Sequence, residues 1–340
     1  MKKKFIPFIL IGTLFCVFIY IYYYIYIWEY SGVDKFFEVK EGEAFSKINY
    51  KLKQEAIVAD ARIFYRYVQV MDAITSIKNG VYVIPSGTNM QKLLEILTIG
   101  DLNAISVTIP EGKNIYEIGD ILEQNNITKA KVFIEKAKDK RFLESIGIHA
   151  SIAEGFLYPN TYKFSRNVSV ETIIKSMNRE FNKRIKEVDF SNSPLSFSDT
   201  LVLASIVEKE TSIAKERPII AGVFLNRLSK KMRLQSDPST IYGIFENYDG
   251  NLRKDDLHKA NPYNTYKISA LPPTPICNPG IASIKAVIKA DKHSYLYFVS
   301  KNDGTHIFSI DYNHHINNVN CYQKNPENRK NKSWRNLKQK

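Results

Sequence analysis

The chain has 340 residues, 44% of them hydrophobic, with 48 Lys and Arg against 35 Asp and Glu, a formal net charge of +13. That is enough apolar material for more than one packed unit, and the basic excess suits an anionic polymer or lipid surface as a neighbour. No zinc finger, helicase motif or glycine-rich phosphate loop accompanies the charge, so nucleic acid, a metal and a cofactor are not expected. Cys16, Cys277 and Cys321 are too few for a disulfide framework, and nothing in the sequence requires Cys277 and Cys321 to pair.

Lys2, Lys3 and Lys4 precede an uncharged run from Phe5 to Trp28. A bilayer-spanning helix needs about 20 such residues. Tyr20, Tyr22, Tyr23, Tyr24, Tyr26 and Trp28 crowd its far end, as interfacial aromatics do. No alanine occurs before Ala44, so no Ala-x-Ala cleavage site follows the run. The expectation is a single-pass anchor: residues 1–4 in the cytoplasm, 5–28 in the membrane, and the rest outside.

Three segments then share one pattern: a glycine, with apolar residues three, six and ten positions on. They are Gly42 with Phe45, Ile48 and Leu52; Gly87 with Met90, Leu93 and Leu97; and Gly112 with Ile115, Ile118 and Leu122. The spacing is one helical face after a turn. Short strands precede them at 36–39, 81–84 and 105–109, and a further helix is expected around 56–74. Residues 34–125 resemble LysM-like modules, which bind N-acetylated glycans of cell walls. The alternative is a structural spacer.

One or two amphipathic helices are expected over 129–149. Glu154-Gly-Phe-Leu-Tyr-Pro-Asn-Thr-Tyr162 breaks that pattern, because Gly155 and Pro159 forbid a regular helix. Its aromatics suit sugar rings and its short polar side chains suit hydroxyls, so it is a candidate carbohydrate loop, with a packed connection as the alternative. A helix follows from Val170 to about Val188, then a polar linker over 189–194.

Leu201-Val-Leu-Ala-Ser-Ile-Val-Glu-Lys-Glu-Thr211 is the stretch on which the rest depends. Ser198 and Asp199 are candidate N-caps. At about 100° per residue, Glu210 shares a face with Leu203, Ile206 and Val207, while Glu208 points nearly opposite. A carboxyl on so apolar a face loses hydration and keeps its proton near neutral pH, as a general acid must. The alternative is a solvated helix end.

A second helix is expected over 217–227, with Ile219, Ile220, Val223 and Phe224 packing on the first. Arg233-Leu-Gln-Ser-Asp-Pro238, Asn261-Pro-Tyr-Asn-Thr-Tyr266 and Leu271-Pro-Pro-Thr-Pro275 read as rigid loops able to wall a groove. A short helix at 282–290 precedes a buried strand at 295–299. Asp303-Gly304 turns it into a second strand at 305–309.

Residues 201–315 resemble the endolytic murein transglycosylases of the MltG/YceG family. The motifs are Ala204-Ser-Ile-Val-Glu-Lys-Glu-Thr211, Val223-Phe-Leu-Asn-Arg-Leu228, Met232-Arg-Leu-Gln-Ser-Asp-Pro238, Tyr263-Asn-Thr-Tyr266 and Tyr295-Leu-Tyr-Phe-Val299. Pro-Pro-Thr-Pro stands where Pro-Pro-Gly is more usual. The resemblance implies cleavage of the β-1,4 bond between N-acetylmuramic acid and N-acetylglucosamine without water, leaving a 1,6-anhydro end and terminating nascent strands. One carboxyl can serve as acid and then base, so the paired carboxylates of glycosidases are not needed. Family correspondence places it on Glu210, with Glu208 as the alternative and Thr211 beside it to help hold acid or substrate. Gln235, Asn264 and Tyr266 would bind N-acetyl or hydroxyl groups, and Glu154 substrate or transition-state charge. Asn226, Arg227 and Asp237 are candidates for buttressing loops.

The implied partners are peptidoglycan strands and their synthases, at a bacterial inner membrane with the catalytic part on its periplasmic side. The expected class is α+β: a transmembrane helix, the LysM-like α/β subdomain, a catalytic domain over 126–322 with a helix-borne Glu in a groove, and a basic tail over 323–340. A non-catalytic wall-binding scaffold would keep the aromatic loops without needing an acid at position 210. A penicillin-binding acyl-transferase is not supported: Ser212-Ile-Ala-Lys215 lacks Ser-Asp-Asn and Lys-Thr-Gly partners.

Overall fold

A computed structural model describes residues 6–40, 42–99, 105–164 and 168–329. The tail at 1–4, most of the basic segment beyond Arg329 and the first residue of the expected span lie outside them. The chain forms two compact units, divided between Ala104 and Ile105.

The first unit begins with α1 (Ile6–Tyr22), which runs on into a π-helical turn at Tyr23–Ile27. Among the described residues no helix is long and apolar enough to cross a membrane. Large apolar side chains from Leu14 to Tyr23 are nevertheless mostly exposed. Next come β1 (Lys35–Val39), α2 (Phe45–Gln54), α3 (Ala61–Val70), β2 (Gly80–Ile84) and α4 (Met90–Ile99). β1 pairs antiparallel with β2, with Phe37 opposite Tyr82. Their buried face meets Leu52, Phe64 and Leu97 from the three helices. α3 is shorter than the expected 56–74. Ala56 and Asp72 take left-handed backbone at φ +55° and +50°, and the Asp60 carboxylate accepts from the Arg62 and Ile63 amides to open the helix. The three repeat glycines do turn the chain, at φ +70°, +78° and +76° for Gly42, Gly87 and Gly112.

The second unit takes in the third of those repeats, contrary to the expected boundary at residue 125. β3 (Ile105–Thr108) pairs antiparallel with β4 (Thr161–Phe164), so a strand some fifty residues on ties 105–122 to the second unit. α5 (Ile115–Gln124), α6 (Ala130–Ala137), α7 (Lys140–Ser145) and α8 (Val170–Ile185) close a core around Phe133, Leu143 and Met177. Asn114 and Glu117 form a reciprocal capping box on α5.

The second core of this unit surrounds α9 (Phe197–Glu210). The helix starts earlier than expected. Ser196 caps it by accepting from the Asp199 amide at 3.1 Å, which puts Ser198 and Asp199 inside its first turn. Every residue from Thr200 to Val207 is buried, as for a helix apolar on all sides. α10 (Arg217–Ser229), α11 (Asp237–Gly243) and α13 (Ile281–Ile288) pack on it, and α12 (Lys254–His258) lies in the loop between the last two. Ser205 on α9 donates to the Val202 carbonyl, and its hydroxyl accepts from the Ile276 amide at 2.9 Å. Cys277 is a buried thiol donating to the Ser205 carbonyl, Cys321 is exposed, and no disulfide joins the two.

The expected hairpin forms from β5 (Tyr297–Ser300) and β6 (His306–Ser309), with Phe298 opposite Phe308. Its strands are half-buried rather than buried, apart from Ser309. α14 (Tyr312–Val319) lies beside both strands.

Candidate active site

Glu210 is the last residue of α9, and its side chain is half-buried. Leu201, Leu203, Ile206 and Val207 fix the helix. Burying each of them contributes roughly 1.5–3 kcal/mol. Together they outweigh the roughly 3–4 kcal/mol that raising the carboxyl's pKa from 4.5 to about 7 costs. Packing therefore wins, and the acid is carried into its site. Ser236 donates to Glu210 Oε1 at 2.5 Å. Burial raises the Glu210 pKa to about 7; Asp237 also raises it, while the Ser236 hydrogen bond and the Arg227 charge pull it down. A group poised there can give a proton and take one back at neutral pH.

Ser236 is itself held. Its amide donates to Thr265 Oγ1 at 2.8 Å, and Ser239 Oγ lies 2.8 Å from the same atom. Gln235, before it, is exposed and left-handed at φ +53°, with its amide bonded to the Thr265 carbonyl at 3.1 Å. Tyr266 donates its phenol to Asp237 Oδ1 at 2.6 Å, and burial, Asp237 and Glu210 all raise its pKa. The structure thus brings Glu210, Ser236, Gln235, Asp237 and Tyr266 into one neighbourhood. Arg227 supports it from beneath, donating to the carbonyls of Leu234 and Leu296 at 2.8 and 2.6 Å. Asn226 likewise donates to the carbonyls of His293 and Tyr295.

Other expected residues sit elsewhere. Glu208 is more enclosed than its place in the chain suggests. Its side chain is 6% exposed, accepts from Arg217 Nη2 at 3.2 Å and from the Gly280 amide at 3.0 Å. Both oxygens are committed to holding α10 and the Gly280 loop. Thr211 does not reach Glu210; its hydroxyl donates to Glu216, which also bonds His306 through Nδ1 and the main-chain amide. Asn264, expected to face substrate, has no exposed surface. It donates to the carbonyls of Asp256, Leu257 and Lys259 and accepts from Thr240 and the Tyr266 amide.

Glu154 is also sealed, at 0% exposure. Its carboxyl accepts from the Ile115 amide and the Tyr242 phenol, both at 3.0 Å, and from Asn278 Nδ2 at 2.8 Å. Burial raises its pKa to about 8. The expected carbohydrate loop is packed from Glu154 to Pro159, while Asn160 and Thr161 stay exposed. Gly155 and Leu157 donate their amides to Asn278 Oδ1, and Gly155 is left-handed at φ +86° with Pro275 Cγ 2.5 Å from where a Cβ would stand. Its aromatics Phe156, Tyr158 and Tyr162 are half-buried and pack against the cores.

Ser236, the donor to Glu210, is the residue of this candidate site that sequence reasoning misses. It lies inside the Arg233–Pro238 motif, but its aim depends on the left-handed turn at Gln235, which no glycine or asparagine announces. Among the described residues no cluster of metal ligands occurs.

The model of the YceG-like family matches residues 37–321. An endolytic murein transglycosylase of Bacillus subtilis is 31% identical over 289 residues, covering 80% of each chain. One from Streptococcus pneumoniae is 29% identical over 296 residues, 77% of this chain and 53% of that protein. The crystal structure of a YceG-like protein from Listeria monocytogenes superposes with a TM-score of 0.58 at 30% identity, covering 84% of this chain and 99% of that one.

Proposed function

From the premise that the chain belongs to the YceG-like family, we propose that it is an endolytic murein transglycosylase with Glu210 as its single acid and base. The observation that carries the reading is the Glu210 carboxyl, set at the end of a buried helix and raised to about 7 while bonded to Ser236. In the first step its proton goes to the glycosidic oxygen as the bond to the muramyl anomeric carbon breaks. In the second the muramyl C6 hydroxyl bonds to that carbon and returns its proton to the carboxylate. No water is consumed, so no second carboxylate is required. Gln235 and Tyr266 would meet the strand, with Ser236 and Asp237 setting the proton affinity of the acid. Glu208 is the weaker candidate, because an acid whose two oxygens already hold Arg217 and Gly280 has no free face for a sugar.

The first unit adds a glycan-holding part in the same reading. A strand–helix–helix–strand order with antiparallel strands suits a LysM-like module and is what supports it. The apolar run Phe5–Trp28 behind three lysines supports an inner-membrane anchor with the catalytic part outside, beside the peptidoglycan synthases.

The test is product analysis by mass spectrometry on purified sacculi. Wild type yields 1,6-anhydro ends, and Glu210→Gln lowers their rate of formation by about a thousandfold or more, while the protein stays folded. Anhydro ends at the wild-type rate from the variant would mean the acid lies elsewhere, and reducing ends from wild type would mean hydrolysis. A wall-binding scaffold yields neither.

A further inference from the structure

The turn that carries Ser236 leads to a cluster of three rings, one pair stacked and two tilted. Gln235 Oε1 accepts from Arg227 Nη1 at 3.4 Å, and the Arg227 guanidinium lies 5.1 Å from the centre of the Tyr297 ring. Tyr297 stacks on His315 with centroids 5.0 Å apart and planes 23° from parallel. Tyr312 completes the cluster, 6.0 Å from Tyr297 and 6.3 Å from His315. The sequence dictates this placement. Side chains alternate along β5, so Phe298 turns to the core against Phe224 and Tyr297 takes the other face. Tyr312 and His315 are three apart on α14 and share a side of it.

Three features set the cluster apart from ordinary packing. Tyr312 is 60% exposed, with Ile310 near it in sequence at 56%. His315 Nδ1 is buried without a hydrogen-bond partner, a state that native proteins seldom leave unused. Burial and the Arg227 charge lower the His315 pKa, so the ring is neutral at neutral pH and presents a π-face rather than a cation.

We propose that Tyr312, backed by Tyr297 and His315, forms a glycan subsite that stacks on a sugar ring of the strand, linked to Glu210 through Ser236, Gln235 and Arg227. Pyranose rings present C–H groups on one face, and an exposed tyrosine offers a rigid apolar surface with a polar rim to receive them. The occupant is the glycan strand because the ring cluster is joined, through Arg227 and Gln235, to the turn beside the carboxyl proposed to cut it. The subsite therefore rests on the reading of Glu210. It fixes where the strand runs, along α14 and the β5–β6 hairpin.

The experiment compares full-length wild type, Tyr312→Leu and Tyr312→Phe on uncrosslinked glycan strands, reading KM and kcat for anhydro ends together with Tm. Tyr312→Leu raises KM about fivefold, the effect of losing one aromatic stacking contact, with the loss in KM rather than kcat. Tyr312→Phe restores KM, since the ring face is what matters. Wild-type KM in Tyr312→Leu, a loss carried by Tm instead of KM, or a Tyr312→Phe no better than Tyr312→Leu each overturns the subsite. Binding of the same strands to Glu210→Gln, with and without Tyr312→Leu, separates the two readings. Weaker binding in the double variant upholds the subsite even if Glu210→Gln still cuts, and equal binding removes it even if Glu210→Gln is dead.

Discussion

Glu154 and Glu210 belong to the same unit, and burial raises both, to about 8 and about 7. By proton affinity alone, the first looks the better general acid. Their surroundings divide them. Glu154 has no exposed surface and three donors on its two oxygens, so it is held on all sides by protein and no substrate atom can approach. Glu210 has a hydrogen bond from Ser236 on Oε1 and part of its surface open. A raised pKa thus marks desolvation, and desolvation serves structure as readily as catalysis. What separates the two uses is the number of partners already satisfied.

The largest stability effect should come from the sealed carboxyl. Glu154→Ala strands the Ile115 amide, the Asn278 amide group and the Tyr242 phenol. Burying such groups unpaired costs about 1–3 kcal/mol each, so a total of about 4 kcal/mol is expected in denaturant melts. The pH dependence has a definite sign. The unfolded carboxyl titrates near 4.5 and the folded one at about 8, so the folded chain binds more protons across that window. Stability contributed by this group falls as pH rises from about 5 to 8, and Glu154→Ala removes its share of that slope. A variant that keeps wild-type stability but loses lytic activity would move Glu154 back among the substrate-binding residues.

Glu208→Gln sharpens the contrast on α9 itself. It removes the charge that Arg217 faces while leaving that guanidinium 12% exposed. A loss of about 2–3 kcal/mol in stability is expected, with anhydro-end formation kept at temperatures where the variant is folded. Loss of turnover in a stable Glu208→Gln protein would reverse the assignment of the two glutamates.

The same contrast explains how much of the molecule is legible in its sequence. Periodicity places α9 and α10, because a run such as Leu201–Val207 has no other way to bury itself, and it puts Glu210 at an apolar helix end. The hairpin at 297–309 and the turns at Gly42, Gly87 and Gly112 are also readable from strand composition and glycine. Partners distant along the chain are not. Strand Ile105–Thr108 looks like a member of the N-terminal repeat until its pairing with Thr161–Phe164 is seen. Glu154 and Asn264 look like site residues because they stand in polar, proline-bounded turns. Only contacts with Ile115, Tyr242 and Asn278, or with the 256–259 carbonyls, reveal that their hydrogen bonds are already spent.

Ser236→Ala tests whether the hydroxyl on Oε1 tunes the acid or merely fills space. The bond stabilises the carboxylate, so its loss raises the Glu210 pKa. The alkaline limb of the rate profile, which tracks loss of the acid's proton, should move to higher pH. The maximal rate should fall about tenfold, since the charged form left by the first proton transfer loses a charge-assisted hydrogen bond. Ser236→Thr keeps the hydroxyl and should keep the limb near its wild-type position. A limb that stays in place in Ser236→Ala would reduce Ser236 to packing.

Asp237→Asn is the smaller, opposite perturbation. The Asp237 charge raises the Glu210 pKa, so neutralising it lowers that pKa and moves the alkaline limb down. The amide oxygen can still accept the Tyr266 phenol that Asp237 Oδ1 now holds at 2.6 Å, so the loop should stay in place and the rate at acidic pH should change by about threefold at most. The two substitutions sit on adjacent residues of one turn, yet they should displace the limb in opposite directions. General disturbance of the turn would push both the same way, whereas electrostatic control of one carboxyl by two neighbours requires opposite signs. A downward shift in Asp237→Asn beside an upward shift in Ser236→Ala would therefore assign the titration to Glu210 without removing its carboxyl.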